Sequence, residues 1–278
     1  MRDPVALRKR AGTSGNPRRD QYFLEDTRVL DRIISYANDV DHGLSDVLEI
    51  GPGVGSLTAR LLDSGGQVTA IERDASLVRF LKQEFSNEIN DDRLTLMQGD
   101  ALDISYPDYS SCVSNLPYGV ASELLFRLLP RERPIVVMVQ REFGERMAAA
   151  TNTAAYGRLS VTAQHYGEVQ LCETVPPSVF QPQPPVESAI VRVTPRDPLY
   201  SVPDETFFMA LVRAMFTQRR KTLRNAIRNT THISGIQNAD ILIDELNDDL
   251  LGKRPGELSP ATFARIATIA WELEKYDD

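Results

Sequence analysis

Short apolar runs alternate with helical patterns through the first two-thirds of the chain. Five of these runs have the length of a buried strand, and they read DVLEI, QVTAIE, RLTLMQ, SCVSN and PIVVMVQ. Amphipathic segments stand before and between them, among them TRVLDRIISYA, SLTARLLDS and ASLVRFLKQEF. This order predicts an α/β fold whose sheet is mostly parallel and has helices on both faces. Two later runs, VQLCETV and SAIVRV, are expected to extend the sheet edge to seven strands.

The pattern changes at about residue 195 and is helical from there on. Residues 204–229 form one long helical pattern, and a later helix, SPATFARIATIAWELEKY, has Ser259 in position to cap its first turn. We therefore predict a boundary within 195–203. The predicted parts are a basic N-terminal arm over 1–20, the α/β domain over 21–197 and a smaller all-helical domain over 198–278.

The composition argues against a membrane, secreted or metal-binding protein. No run approaches the roughly 18 apolar residues that a membrane span needs, and the N-terminus lacks the apolar core of a signal peptide. We therefore expect a monomer in the cytoplasm with no membrane contact. The cysteines and histidines are scattered, which predicts neither a disulfide framework nor a metal site: they are Cys112, Cys172, His42, His165 and His232.

The charge is unevenly distributed along an acidic chain. A formal net charge of -8 argues against a nucleic-acid partner, but residues 1–20 hold six basic and two acidic residues, and 218–228 hold five basic residues and no acid. Local positive patches matter more to a polyanion than the total charge. The alternative is a solvated helix face. The candidate RNA contacts are Arg8, Lys9, Arg10, Arg18, Arg19, Arg219, Arg220, Lys221, Arg224 and Arg228.

A glycine-rich turn, LEIGPGVGSLT, joins the first strand to a helix. Glycines let the backbone approach a ligand closely, and the start of the helix offers unpaired N–H groups. The dinucleotide pattern is G-x-G-x-x-G. Here the third glycine, Gly55, comes one residue early after Gly51 and Gly53, and Ser56 occupies the expected place. This E-x-G-x-G-x-G form favours S-adenosylmethionine, which has no pyrophosphate to hold.

Carboxylates follow the next two strands. Glu72 ends the second strand, where it can accept hydrogen bonds from both ribose hydroxyls, and Asp100 follows the third, where it can accept from an adenine amino group. Alone, Glu72 could be an ordinary acidic strand end. The carboxyl ends of the strands are, however, where open α/β sheets bind their ligands, and these features coincide there.

The fourth strand ends in NLPY, at positions 115–118. If the target is an amine conjugated to an aromatic ring, the Asn115 amide oxygen and the Leu116 carbonyl can accept its two hydrogens. Pro117 fixes the backbone so that this carbonyl faces inward. Tyr118 can stack on the base, which contributes roughly 1–3 kcal/mol. The alternative is a structural turn.

In combination these motifs resemble the KsgA family of small-subunit ribosomal RNA adenine N6,N6-dimethyltransferases, in its archaeal-type branch. The resemblance runs from about residue 20 to 270. In order, it rests on DQYFLED, LEIGPGVGSLT, IERD, GDAL, NLPY, VQREFGERM, YGRLSV, VPPSVFQPQPPVESAIVRV, FTQRRKTLRNAI and RPGELSPATFARIA. It implies a Rossmann-like, S-adenosylmethionine-dependent methyltransferase domain over 21–197 and an RNA-recognition role for 198–278.

The resemblance also implies roles for single residues. Phe180 would cover the second face of the target adenine, although it could instead be a loop phenylalanine packed on the core. Tyr22 stands where the family commonly has His or Asn, and Asp20 where it usually has Gly, so the loop around them has less freedom to turn. The residues implied to line the cofactor site are Tyr22, Leu24, Gly51, Gly53, Glu72, Asp100, Ala101 and Asn115.

The function expected from this resemblance is dimethylation of two adjacent adenosines. They lie in a hairpin loop near the 3′ end of small-subunit rRNA, within a late pre-ribosomal particle. One alternative is a large-subunit rRNA adenine methyltransferase of the antibiotic-resistance type, which shares the catalytic motifs. A second is a nucleic-acid-binding assembly factor that kept the fold and lost catalysis, and the intact motifs argue against it.

Overall fold

The computed structural model of the chain describes residues 1–39 and 44–275, so that His42 lies outside the described residues. The chain divides into two compact units. The first comprises residues 1–144 and 168–195, and the second comprises residues 145–167 and the chain from 196 onward. Within the described ranges, no helix combines the length and apolar character needed to cross a membrane.

The first unit is an α/β domain with a seven-stranded sheet. The strands of this unit are β1 Phe23–Leu24, β2 Asp46–Ile50, β3 Gln67–Glu72, β4 Leu94–Gln98, β5 Ser111–Asn115, β6 Ile135–Gln140, β7 Gly167–Val175, β8 Phe180–Gln181 and β9 Ser188–Pro195. All except β1 and β8 belong to the seven-stranded sheet. Its helices are α1 Pro4–Arg10, α2 Thr27–Asn38, α3 Ser56–Asp63, α4 Ala75–Glu84, α5 Ser86–Asn90, α6 Ala121–Leu128 and, at the junction with the second unit, α7 Arg141–Met147.

The seven strands are arranged in the order β4-β3-β2-β5-β6-β9-β7. Strands β4, β3, β2, β5 and β6 pair in parallel, and β9 runs antiparallel to β6. The chain progresses outward from β2 in one direction through β3 and β4, and in the other through β5 and β6. The topological switch point therefore lies between β2 and β5, where ligands bind in open α/β sheets. The predicted fold class is confirmed, including the two added edge strands.

Helix α2 shows how the apolar spacing produces the packing. Five apolar positions of the segment TRVLDRIISYA are all buried, because residues at this spacing share one face of a helix. The Asp26 side chain caps the helix by accepting from the backbone N–H groups of Arg28 and Val29, at 2.8 and 3.2 Å. The buried positions are Val29, Leu30, Ile33, Ile34 and Ala37.

The N-terminal segment is folded onto the first unit, which corrects the prediction of a separate basic arm. Helix α1 begins at Pro4, with Asp3 as its N-cap. Its Leu7 side chain is fully buried and packs in a cluster with Phe23, Val54 and Leu77. The apolar stripe of this helix is too short to stand out in the sequence, but it is sufficient to dock the segment.

The second unit is helical. Its helices are α8 Arg158–Tyr166, α9 Glu205–Thr217, α10 Leu223–Asn229, α11 Thr231–Ser234, α12 Ala239–Glu245, α13 Asp248–Gly252 and α14 Pro260–Lys275. The Ser259 hydroxyl accepts from the Thr262 N–H at 3.2 Å and so caps α14 as predicted. Residues 145–167 belong to this unit, although the sequence placed them in the α/β domain. Their apolar side chains, among them fully buried Tyr156, pack in the helical core.

The single long helix predicted over 204–229 is wrong. It is broken at residues 218–222 into α9 and α10. The Lys221 N–H turns back to the Gln218 carbonyl at 2.8 Å, and the Leu223 N–H donates to the Lys253 carbonyl at 2.7 Å. Helical spacing therefore continues on both sides of a turn that only the packing of distant segments reveals. Lys221 lies in this turn and not on a shared helical face with Arg224 and Arg228.

Replacing Leu7 by alanine is expected to lower the free energy of unfolding by roughly 2–5 kcal/mol, the usual cost of a Leu-to-Ala cavity in a core. Denaturant titration followed by circular dichroism measures the change. Val5→Ala is the matched control, because Val5 lies on the same helix but is only partly buried. If Leu7→Ala and Val5→Ala lower the free energy of unfolding by the same small amount, α1 does not contribute to the core in the way described.

Candidate active site

A cavity of about 580 Å³ opens at the carboxyl ends of β2, β3 and β5. That volume is in the range of small-molecule sites. Every residue predicted to bind the cofactor lines it, and so does NLPY. The predicted cofactor residues in the lining are Tyr22, Leu24, Gly51, Gly53, Glu72, Asp100, Ala101 and Asn115.

The glycine loop owes its shape to left-handed backbone. Gly51, Gly53 and Gly55 have φ of +71°, +60° and +84°, a region that favours glycine. A Cβ at Gly53 would lie 3.1 Å from the Phe23 ring, and one at Gly55 would lie 2.6 Å from the Phe85 ring. The first two glycines line the cavity, whereas Gly55 lets the loop pack on the core beneath it.

Glu72 ties the loop to the end of β3. Its Oε2 accepts from the Gly53 N–H at 3.1 Å, and its Oε1 accepts from the Asp74 N–H at 2.8 Å. Burial raises the pKa of this carboxyl, and the two backbone hydrogen bonds oppose that rise. Because a carboxylate can accept about four hydrogen bonds, Glu72 retains capacity for ligand hydroxyls.

Asp100 occupies the next strand end and is held ionised. Its Oδ1 accepts from the Leu102 N–H at 2.9 Å, and its Oδ2 accepts from Arg73 Nη1 at 3.2 Å. The backbone hydrogen bond from Leu102 is the main cause that lowers the pKa of Asp100, and Arg73 adds to it. A fixed anionic acceptor at this place suits a ligand amino group.

Asn115 lines the cavity and has an unused acceptor. Its Nδ2 donates to the Tyr22 carbonyl at 3.5 Å, and since a carbonyl can only accept, this contact orients the amide. The opposite atom, Oδ1, is buried and has no hydrogen-bond partner among the described residues. Buried polar atoms are nearly always satisfied. This one therefore fits a donor that a ligand supplies.

Tyr118 is held on two sides. Its hydroxyl and that of Ser188, a fully buried residue, are 2.6 Å apart. Its ring lies against the Tyr22 ring, with centroids 5.7 Å apart and planes 22° from parallel. Burial raises the pKa of the Tyr118 phenol, so the group stays protonated at neutral pH. These contacts fix the ring orientation at the cavity wall.

Phe180 is placed differently from the prediction. It is 3% exposed and packs in the core of the first unit, and it is not among the residues that line the cavity. The reason is a short pairing, in which β8 lies antiparallel to β1 and sets Phe180 opposite Leu24. The structure thus follows the alternative considered for Phe180, a loop phenylalanine packed on the core.

Glu49 lies in the glycine-rich motif, but it was not predicted to be a site residue. This carboxyl lines the cavity, is 1% exposed, and its Oε2 accepts from the Thr58 hydroxyl at 2.6 Å. Burial raises the pKa of Glu49 to about 8. Ser56 was likewise missed, and its buried Oγ has no partner among the described residues. Both lie within two residues of the glycine loop, which was the available signal.

The predicted basic residues of the N-terminal segment are largely paired with acids. Arg8 contacts Glu25, Arg10 contacts Glu84 at 2.7 Å, and Arg19 contacts Asp74 at 3.1 Å. Lys9 and Arg18 are exposed and have no acidic partner among the described residues. Exposed pairs contribute little stability, but they reduce the positive charge available to a polyanion.

The basic residues of 218–228 differ in what their side chains contact. Arg224 and Arg228 pair with Asp248 and Asp240, at 2.7 and 3.1 Å. Arg219 donates to the Ala154 and Thr153 carbonyls, at 2.6 and 3.3 Å. Arg220 and Lys221 are exposed in the turn between α9 and α10, and neither has an acidic partner in the part of the chain that the structure describes.

The fold and the cavity together define a Rossmann-like, S-adenosylmethionine-dependent methyltransferase. More particularly, the chain belongs to the ribosomal RNA adenine dimethylase family, whose model matches residues 12–266. This confirms the family, the enzyme class and the cofactor that the motifs predicted.

Individual relatives match this chain over nearly their whole length. A probable ribosomal RNA small subunit methyltransferase A of Halobacterium salinarum is 58% identical over 98% of this chain and 96% of its own length. A solved dimethyladenosine transferase from Plasmodium falciparum is 28% identical, with a TM-score of 0.73 over 91% of this chain and 98% of that one. The solved 23S rRNA methyltransferase ErmE is 25% identical, with a TM-score of 0.62 over 89% and 99%.

Glu49 is expected to make stability depend on pH. Its pKa is about 8 in the folded protein, against an ordinary value of 4.5. At pH values between 4.5 and about 8 the native state holds a proton that the unfolded state has lost. The stability that the protonated Glu49 contributes is therefore complete at low pH and is lost as the pH rises through 8. Glu49→Gln is neutral throughout and can still accept from Thr58. The melting temperature of Glu49→Gln minus that of the wild type should therefore be larger at pH 8 than at pH 5.5.

A difference in melting temperature that stays constant from pH 5.5 to pH 8 would contradict a protonated Glu49. Thr58→Val serves as a second comparison. It removes the hydroxyl that donates to Glu49 and keeps the side-chain shape, so the ionised carboxylate loses a stabilising contact. The fall in stability with rising pH should then be at least as steep as in the wild type.

Proposed function

We propose that this enzyme uses S-adenosylmethionine to dimethylate N6 of two adjacent adenosines in a hairpin loop near the 3′ end of small-subunit rRNA. The observation that supports it most directly is the unsatisfied Asn115 Oδ1 at the end of β5, beside the cofactor cavity. We further propose that the enzyme acts as a monomer in the cytoplasm, on a late pre-ribosomal particle.

The cavity residues suit the cofactor. Glu72 would hold the ribose hydroxyls, Asp100 the adenine amino group, and the backbone of the glycine loop would lie against the remainder. Bound there, S-adenosylmethionine supplies an electrophilic methyl group on a sulfonium. Glu49 lies in the same cavity, and a cation beside it would favour its ionised form.

The target amine needs positioning more than it needs a base. The lone pair of adenine N6 is delocalised into the ring, so its nucleophilicity is low. Asn115 Oδ1 and the Leu116 carbonyl would accept the two N6 hydrogens and favour a pyramidal nitrogen. Pro117 directly follows the Leu116 carbonyl and is itself extended, with φ of -61° and ψ of 126°. Tyr118 stays protonated and offers a stacking face, and the N6 proton leaves only after transfer.

In the second transfer the amine has one hydrogen left. Asn115 and the Leu116 carbonyl can no longer both be satisfied, so stacking must contribute more to positioning. Since Phe180 is buried in the core, Tyr118 is the remaining candidate for this role, and Tyr22 lies against its ring.

Two alternative functions are less well supported. The large-subunit activity is favoured by the likeness to ErmE, but the small-subunit relative is 58% identical against 25% for ErmE. A non-catalytic assembly factor would have no need for an unsatisfied amide acceptor beside an intact cofactor cavity. Transfer of labelled methyl groups to small-subunit or large-subunit particles from cells that lack the modification separates the three, and mass spectrometry of the digested rRNA identifies the product.

Asn115→Ala is expected to lower methyl transfer by roughly 10²-fold, the scale of a mispositioned reactant. The melting temperature should change little, because Oδ1 has no hydrogen-bond partner among the residues that the structure describes and the Nδ2 contact is long, at 3.5 Å. Asn90→Ala is the matched control, an exposed asparagine at the end of α5. Near wild-type turnover in a folded Asn115→Ala protein would disprove the role of the amide.

Phosphate contact by 218–228 is expected to depend on Arg220 and Lys221. Each phosphate contact contributes roughly 0.7–0.9 to the slope of log affinity against log salt, so Arg220→Ala with Lys221→Ala should make that slope shallower by up to about 1.4–1.8. Arg224→Ala with Arg228→Ala removes the same number of cations, but these are paired with acids, so its slope should change less. Equal changes in the two slopes would contradict this division.

A further inference from the structure

Asp20 stands out because its backbone is left-handed although it is not glycine. Its φ is 55° and its ψ is 29°. Among residues with a side chain, Asp and Asn visit this region most readily, because their short polar groups can form local hydrogen bonds. The position is one where the family usually has glycine. The chain therefore keeps the turn that a glycine would make and adds a carboxylate to it.

That carboxylate contacts the catalytic loop. Asp20 Oδ2 accepts from the backbone N–H of Gly119 at 2.9 Å, and Gly119 directly follows Tyr118. A Cβ added at Gly119 would lie 2.6 Å from Asp20 Oδ2, so a side chain there would displace the carboxylate from this position. In this contact Asp20 thus has an unusual backbone conformation, and Gly119 has no side chain.

The segment around Asp20, residues 19–22, is here called the strap. Its neighbours reach toward the cofactor side, since Arg19 Nη1 and Gln21 Nε2 donate to Asp74 Oδ2 at 3.1 and 3.2 Å. The Asp74 N–H in turn donates to Glu72. The strap therefore connects the acidic end of β3 with the loop that follows β5.

The strap also contacts the proposed catalytic residues. The Tyr22 carbonyl accepts from Asn115, and the Tyr22 ring lies against Tyr118. Two other contacts also hold residues 115–119: the Tyr118 hydroxyl lies 2.6 Å from that of Ser188, and the Leu116 N–H donates to the Met138 carbonyl at 3.0 Å. Loosening the strap at Asp20 would free the end of the loop nearest the stacking ring.

We propose that Asp20 is a positioning residue for methyl transfer. Through Gly119 it fixes the 115–119 loop, so that the Leu116 carbonyl and the Tyr118 ring keep the places that the target adenine requires. This rests on the proposed function and deepens it. The role proposed for Asp20, which itself lines the cavity, is to hold this loop, and it acts on the rate of transfer more than on cofactor affinity.

Two variants separate the hydrogen bond from the backbone conformation. Asp20→Gly keeps the left-handed turn and removes the acceptor. Asp20→Asn also tolerates that turn and keeps an oxygen that can accept from Gly119, but removes the charge. Asp92→Gly is a matched control, because Asp92 is likewise left-handed, with φ of 56°, and is exposed between α5 and β4.

The test measures three quantities in each protein: the single-turnover rate of methyl transfer to small-subunit particles, the S-adenosylmethionine Kd by calorimetry, and hydrogen exchange at the Gly119 amide. Asp20→Gly is expected to lower the rate roughly five- to tenfold, the scale of one ordinary hydrogen bond. Its Kd should stay within about twofold and its Gly119 amide should exchange faster. Asp20→Asn should recover most of the rate, and Asp92→Gly should match the wild type.

Three results would overturn the proposal. One is a wild-type rate in Asp20→Gly. Another is an equal loss in Asp20→Asn, which would assign the effect to charge. The third is a loss of cofactor affinity in proportion to the rate, which would make the strap a cofactor clamp only. Failure of the proposed function is recognised separately, because the wild-type protein would then transfer no methyl to these particles, while the exchange comparison still tests the Gly119 contact.

Discussion

The parallel pairing of β2 with β3 on one side and with β5 on the other determines where this protein can bind a ligand. The registers set Ile50 opposite Ile71 and Leu48 opposite Cys112, so three strands end at one edge of the sheet. Each of the three then contributes its next residues to a single cavity. The glycine loop, Glu72 and Asn115 are far apart in sequence, and only this shared edge brings them together.

Within the cavity, the polar groups fall into two kinds. Glu72 and Asp100 are satisfied by backbone N–H groups and by Arg73, which fixes their geometry before any ligand arrives. Asn115 Oδ1 and Ser56 Oγ are buried without a partner in the part of the chain described. A buried acceptor left unsatisfied is costly in a protein interior. The site thus combines acceptors of fixed geometry with two buried polar atoms that have no partner among the described residues.

The positive charge is more restricted than the residue counts indicate. Several arginines of the N-terminal segment, and two of the 218–228 segment, face carboxylates at hydrogen-bond distance. On a chain with a net charge of -8, such pairing leaves few cations for phosphates. Arg220 and Lys221 differ because they are exposed in the turn between α9 and α10 and have no acidic partner in the described part of the chain.

The sequence by itself determined the features that depend on local pattern. Apolar runs predicted the seven strands, helical spacing predicted the buried face of α2, and the glycine loop with NLPY identified the cofactor and the family. These follow from chain geometry and from motif chemistry, which a short window contains. The residues predicted to bind the cofactor all line the cavity, because strand ends follow directly from strand assignment.

Only the tertiary structure decided the remainder, because it depends on contacts between distant segments. Phe180 is buried because two residues of β8 pair with β1, a pairing too short to leave a pattern in the sequence. The helix predicted over 204–229 breaks because the Leu223 N–H bonds to Lys253, 30 residues further along. Residues 145–167 join the helical unit through side chains such as Tyr156, whose hydroxyl donates to the Leu258 carbonyl. The contact of Asp20 with Gly119 spans 99 residues, and a left-handed aspartate reveals its partner only once the chain has folded.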